Sequence, residues 1–430
     1  MTASTLTILF LLFLGVMLAF QTWLSLRHLR HVGKHREQVP AEFADAITLE
    51  AHRKAADYTA DKVRLGIIER FVDAAVLLLL TLGGGLLYVN ALAGGWLGNG
   101  YAAGIGLVLG VMILSSIFST PFDLYRTFVL EARYGFNKVT FKLYLLDTLK
   151  GMLLGAAIGM PLLLATFWLM EKMGALWWLY VWLMWLGFSL LMIAVYPNFI
   201  APLFNKFSPL ADESLKQRIE ALLKRCGFTA SGLFVMDGSK RSSHGNAYFT
   251  GFGNTKRIVF FDTLIERLSP TEIEAVLAHE LGHFKRKHIY KMMAGQFLLT
   301  LVILAAMGWV IDKPWFYAGL GAPVEGHAPV ALSLMLFFLV LGVFTFWLTP
   351  IGSLLSRKHE FEADAYAAEQ TQASDLVTAL VKLYRDNAST LTPDPLYSAV
   401  YDSHPPAAIR IAHLKALSRP LSPTLSSSAS

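Results

Sequence analysis

Residues 74 to 122 contain no Asp, Glu, Lys or Arg, which confines the chain to folds that give this stretch an apolar solvent. A bilayer's hydrocarbon core is crossed by about 20 apolar helical residues, so the run supplies two spans. Ala93-Gly94-Gly95-Trp96-Leu97-Gly98-Asn99-Gly100 reads as the turn between them, and Gly83-Gly84-Gly85 hints at a break in the first. Similar runs at 6–24, 151–170, 173–205, 292–311 and 326–356 raise the total to seven. The whole composition agrees: 55% of the 430 residues are hydrophobic, 16% are charged, and mean hydropathy is +0.49. The first run reads as a retained span and not as a cleaved signal peptide, because no basic segment precedes it.

Basic residues set the expected orientation. Arg27, Arg30, Lys34, Arg36, Arg53, Lys54, Lys62 and Arg64 follow the first span, and Arg126, Arg133, Lys138 and Lys142 follow the third. The loops on the opposite side hold only Lys172 and Lys313, so the N-terminus is expected outside and the C-terminus in the cytoplasm. This distribution accounts for the net charge of +6 and the pI near 9.2, and no interleaved basic and aromatic module points to nucleic acid. Cys226 is the single cysteine, so no intramolecular disulfide forms, and it is expected to pack as a small hydrophobe.

Between the fifth and sixth spans the composition turns soluble. There lies His279-Glu280-Leu281-Gly282-His283. Ser269-Pro270-Thr271-Glu272 predicts a capping box with Pro at the first helical position, and Ile273, Val276 and Leu277 give the following helix an apolar stripe. On a helix, His279 and His283 share a face and can aim two neutral imidazoles at one Zn²⁺. Glu280, one step round, can reach a metal-bound water as general base. Gly282 costs a helix interior roughly 1 kcal/mol relative to Ala, which implies tight packing at that point. Residues 212–225 read as an amphipathic helix, and Leu233–Met236 and Ile258–Phe261 as short strands.

A catalytic zinc takes a third protein ligand. The segment His359-Glu360-Phe361-Glu362-Ala363-Asp364 offers Glu360, with Glu362 and His359 as competitors. Asp364 lies four residues beyond Glu360 on the same helical face, where it can hold the far nitrogen of a ligand histidine.

Taken together, His279-Glu280-x-x-His283 and Glu360-x-x-x-Asp364 resemble the type I CAAX prenyl protease family, integral-membrane zinc metalloproteases of the gluzincin kind. Thr127–Lys138, Pro202–Phe207, Met236–His244, Asn246–Phe249 and Ser403-His404-Pro405-Pro406 with Arg410-Ile411 resemble family segments in the same order. The resemblance implies Glu360 as the third ligand of one Zn²⁺ per chain. It also implies a mainly α, polytopic fold in which seven transmembrane helices enclose a chamber, capped by a cytoplasmic zincin-like α+β protease domain. The implied substrates are C-terminal peptides, prenylated at a CAAX cysteine, cleaved at the bilayer. The Ser-Ser-Ser-Ala-Ser ending lacks a dibasic signal, which fits a bacterial member in an inner membrane.

The expected division is five spans in 1–205, the HExxH region in 206–290, spans six and seven in 291–356, the third-ligand region in 357–418, and a disordered Ser- and Pro-rich tail in 419–430. His404 is the candidate oxyanion donor, and Arg410 is expected either to brace Glu360 or to bind a substrate carboxylate. Asn246, Ala247 and Tyr248 resemble a substrate-binding edge strand. His244 reads as a polar loop residue before a metal ligand, and Phe284-Lys285-Arg286-Lys287-His288 as a positive-inside anchor. Two other functions fit the same motifs: a quality-control protease of identical chemistry, and a non-catalytic zinc-bearing scaffold or transporter. A transporter would carry ionisable groups at mid-membrane, whereas Asp73 and Asp147 lie near span ends.

Overall fold

The computed structural model describes residues 1–250 and 257–417; the tail expected to be disordered lies outside the described residues. Six helices are long and apolar enough to cross a bilayer: Ala3–His35, Tyr101–Glu131, Phe141–Lys172, Gly174–Phe204, His288–Val310 and Val330–Gln370. A seventh span is a pair of helices, Leu49–Leu80 and Gly85–Leu97, bent by 58°. The bend falls on the triple glycine. Gly84 has φ +74°, and a Cβ at Gly83 or Gly85 would stand 2.8 Å from the Leu79 carbonyl oxygen, so only glycine fits. The turn between the second and third spans is shorter than 93–100, because helix continues to Leu97 and the chain reverses through Gly98 and Gly100, both at positive φ.

These helices bury Phe10, Leu107, Phe167, Leu332 and Leu336 in one core while leaving Trp96, Ile113, Leu153 and Leu298 on the outer face, as a lipid-facing surface requires. Open clefts lie between them and at their ends. One of about 460 Å³ is lined by Gln21, Arg70, Asp73 and Thr349, and another of about 910 Å³ by Glu171, Asp312, Tyr317, His327 and Ser333.

A second core belongs to the soluble region. Strands β1 (Phe207–Pro209), β2 (Gly232–Met236), β3 (Ala247–Thr250) and β4 (Arg257–Phe261) form a sheet of order β1-β2-β4-β3. β2 and β4 are parallel, and the two outer pairs are antiparallel. The Glu213–Cys226 helix, capped by Asp212, contributes Leu215, Ile219 and Leu222 to this core. Ile258 and Phe260 come from β4, and Leu277 and Leu281 from the Pro270–Lys285 helix. Each such fully buried aliphatic side chain contributes roughly 1.5–3 kcal/mol. Cys226 packs here as a buried thiol. The core fixes the Pro270–Lys285 helix against both the sheet and the long Thr349–Gln370 helix that continues the last span.

Candidate active site

The Pro270–Lys285 helix starts as its sequence dictates. Ser269 accepts from the Glu272 amide, Glu272 bonds back to the Ser269 amide, and Pro270 occupies the first helical position. About three turns on, the helix meets the Thr349–Gln370 helix at Gly282. A Cβ there would stand 2.9 Å from the Ala363 Cα, so the glycine permits the approach that brings the two motifs together.

That approach converges His279, His283 and Glu360, whose ligand atoms all lie within 4.8 Å of one another. The two Nε2 atoms are 3.2 Å apart; Glu360 Oε2 is 3.5 Å from His279 Nε2, and Oε1 is 3.3 Å from His283 Nε2. Two imidazole nitrogens and a carboxylate facing one another suit a tetrahedral metal with one open position. Glu360 Oε2 is buried without a well-formed hydrogen bond, its neighbour being Nη1 of Arg410 at 3.1 Å.

Charge around the three is closely managed. Asp364 is fully buried, and because a carboxylate only accepts, the His279 Nδ1–H donates to its Oδ1 at 2.8 Å, leaving Nε2 for the metal. Burial pulls the His279 pKa down, but hydrogen bonds to Asp364 and Glu360 outweigh it and raise the value to about 9. Arg410, buried at 4% exposure, donates from Nε to Asp364 Oδ2 at 2.8 Å, and its Nη1 is 3.1 Å from Glu360 Oε2. Of the two roles expected for Arg410, the structure supports bracing: both ends of its guanidinium are committed, and none is left for a substrate carboxylate. Glu280, the residue after His279 on the same helix, is half-buried and, among the described residues, its carboxylate has no hydrogen bond or ion pair.

His404 reaches the same point from the C-terminal region. Its Nε2 is 3.5 Å from Glu360 Oε1, its side chain is 59% exposed, and Ser403 Oγ lies 2.9 Å from its Nδ1. Desolvation of the part of the ring that faces the site pushes its pKa below the ordinary value, with the charge of Glu360 opposing. Behind it opens a cavity of about 490 Å³ lined by Lys62, Arg70, Tyr384, Tyr401, Asp402 and His404. Arg70 donates to Ser25 and to the Gly66 carbonyl but has no acidic partner among the described residues, and Lys62 rests over the Tyr58 ring.

On the other flank, Asn246 is exposed, Ala247 is buried, and Tyr248 lies in β3, the outer strand of the sheet. Phe249 ties β3 to the metal-site helix through an edge contact with Phe284, ring centroids 4.9 Å apart. His244 is elsewhere: it stacks on Phe136 and bonds Asn387, in agreement with a polar loop residue. Glu362, the competitor of Glu360, stays outside the ligand cluster. One expectation needs correction: His288 is no surface anchor but is 1% exposed, packed between His283 and Glu362. Its signal was present in the sequence as a third histidine five residues after His283, masked by the basic residues around it.

Comparison with known proteins agrees with this geometry across the chain. Residues 28–206 match the model of the CAAX prenyl protease N-terminal region with five membrane helices, and residues 209–418 match peptidase family M48. The chain is 37% identical to CAAX prenyl protease 1 homolog of Arabidopsis thaliana over 93% of its own length and 95% of that protein. For CAAX prenyl protease 1 of Saccharomyces cerevisiae the identity is 40% over 70% and 69%, and for the Homo sapiens homolog 31% over 95% and 94%. The crystal structure of S. mikatae Ste24p superposes with a TM-score of 0.89 at 33% identity, covering 95% of this chain and 99% of that one. A chain with this fold, this metal-binding constellation and these relatives over nearly its whole length belongs to peptidase family M48, as a multi-pass membrane metalloendopeptidase for which zinc is the expected metal.

Proposed function

We propose that the chain hydrolyses a peptide bond near the C-terminus of a membrane-associated peptide, of the CAAX type for which its relatives are named, using one zinc ion held by His279, His283 and Glu360. The observation that carries this reading is the convergence of those three donors, together with the unpaired carboxylate of Glu280, the residue after His279. A bound Zn²⁺ supplies a Lewis acid and lowers the pKa of a water to about 7. Glu280 takes the proton of the attacking water and returns it to the leaving amine as the C–N bond breaks. His404 donates its N–H to the carbonyl oxygen while charge develops there. Asp364 and Arg410 hold His279 and Glu360 in place, and the free edge of β3, at Asn246, Ala247 and Tyr248, pairs with the extended substrate.

The cavity beyond His404 supports a substrate that ends there. Arg70, which has no acidic partner among the described residues, together with Lys62 suits a terminal carboxylate. The basic loops support an arrangement with the N-terminus outside and this site on the cytoplasmic side of the membrane, and a bacterial inner membrane is part of the same proposal.

The test is cleavage by the purified protein of matched farnesylated and unmodified peptides, each as free acid and as C-terminal amide. Preference for the farnesylated acid supports the reading. Equal cleavage of unmodified and amidated peptides would favour a quality-control protease. Zinc without hydrolysis of any peptide would overturn enzymatic function and leave a scaffold.

A further inference from the structure

His279 reaches a carboxylate directly through Nδ1, but among the described residues no carboxylate does the same for His283. Its Nδ1 instead faces Nδ1 of His288 at 3.1 Å, and His288 Nε2 is 2.9 Å from Glu362 Oε2. His288 is 1% exposed, and its ring stacks on His359 with centroids 4.0 Å apart and planes 13° from parallel. The backbone is bent to put it there. Lys287, just before His288, has φ +58°, a left-handed conformation unusual for a residue with a side chain, and this turn swings the first residue of the His288–Val310 helix back against the metal site.

Proton counting leaves one arrangement of the neutral rings. Two facing Nδ1 atoms can share a single proton. If His283 offers its Nε2 lone pair to the metal, its own proton sits on Nδ1, so His288 must accept there. The His288 proton then sits on Nε2, pointed at a carboxylate that can only accept. Glu362 lies about 200° round the helix from Glu360 by the 3.6-residue period and cannot join it at the metal, yet through His288 it still acts on the second imidazole.

We propose that His288, held by Glu362, is a positioning residue that fixes His283 in its Nδ1–H tautomer and aims Nε2 at the zinc. The inference rests on the proposed ligand set. It makes one helix, Thr349–Gln370, the source of a ligand in Glu360 and of the outer partners of both imidazoles, Asp364 directly and Glu362 through His288.

Zinc affinity, measured by competition with a chromophoric chelator on full-length protein in detergent, tests it without any assay of turnover. His288→Phe keeps a ring stacked on His359 but removes the acceptor, and zinc should bind about 10–100-fold more weakly. His288→Gln, whose amide oxygen can accept from His283, should recover most of the loss, and Glu362→Ala should weaken zinc in the same direction by less. The absorption bands of Co²⁺-substituted protein should shift in His288→Phe. If His288→Phe proves too unstable to purify, Glu362→Ala carries the test, since that side chain is partly exposed. Wild-type zinc affinity in His288→Phe, or in Glu362→Ala where it stands alone, would overturn the inference. His283→Ala separates the two readings: retention of zinc there would sink the ligand assignment itself, whereas its loss beside an unaffected His288→Phe would sink only the role of His288.

Discussion

Asp364 Oδ1 lies 2.8 Å from Nδ1 of His279, so the carboxylate four residues beyond Glu360 fixes the proton of the first imidazole in the neighbouring helix. The two halves of the site, separated in sequence by the sixth and seventh spans, are thereby joined at the level of individual protons.

Glu280→Gln separates proton transfer from metal binding. Zinc should remain near stoichiometric because the three donors are intact, while turnover should fall by about 10²–10⁴-fold. Glu360→Ala should lose both metal and activity. Metal analysis alongside peptide cleavage decides the matter: zinc retained in Glu360→Ala would refute the ligand set.

Gly282→Ala tests the helix contact. A Cβ at that position meets the Ala363 backbone at 2.9 Å, and overpacking costs about 1–3 kcal/mol, more than the roughly 1 kcal/mol of helix propensity gained. We expect a lower melting temperature and weaker zinc binding. Gly151→Ala, where nothing lies within 4 Å, is the control and should not destabilise the protein.

Arg410→Met leaves Asp364 and Glu360 buried without their cation. Removing one member of such a group costs about 3–5 kcal/mol. Zinc, itself a dication, should restore part of that loss by mass action, so the zinc-free variant should suffer more than the zinc-loaded one in thermal unfolding. Equal losses in both forms would mean that Arg410 does not offset the site's negative charge.

Asn246→Ala should affect substrate grip alone. Zinc content should be unchanged while kcat/KM falls by about 10-fold, equivalent to about 1.4 kcal/mol, chiefly through KM. Loss of metal in that variant would tie β3 to the zinc shell and contradict its role as an edge for the peptide.

A cytoplasm-specific reporter should be active when placed within residues 30–60 or after 417, and silent within 93–100. Activity from the 93–100 turn would invert the proposed orientation and move the site to the opposite face.

The sequence by itself determined where the chain crosses the bilayer, since the absence of charge over 20 residues admits one solvent, and where the metal-site helix begins, since Ser269, Pro270 and Glu272 cap it through bonds spanning three residues. It also determined that His279 and His283 share a face, which is a property of helical period alone. It left the third ligand open between Glu360, Glu362 and His359, because period places residues on a helix but does not say which face meets another helix seventy residues away. Packing adds what period lacks: the close approach at Gly282 presents Glu360, and not Glu362, to the imidazoles. The bend at Gly83–Gly85 and the edge position of β3 were legible only faintly, one as a glycine run and the other as a motif. For Arg410 the sequence left two roles open, and the partners of His288 and Glu362 depended wholly on tertiary structure: a buried cation finds its partners, and a buried imidazole its proton, only once distant segments have been brought within about 3 Å of each other.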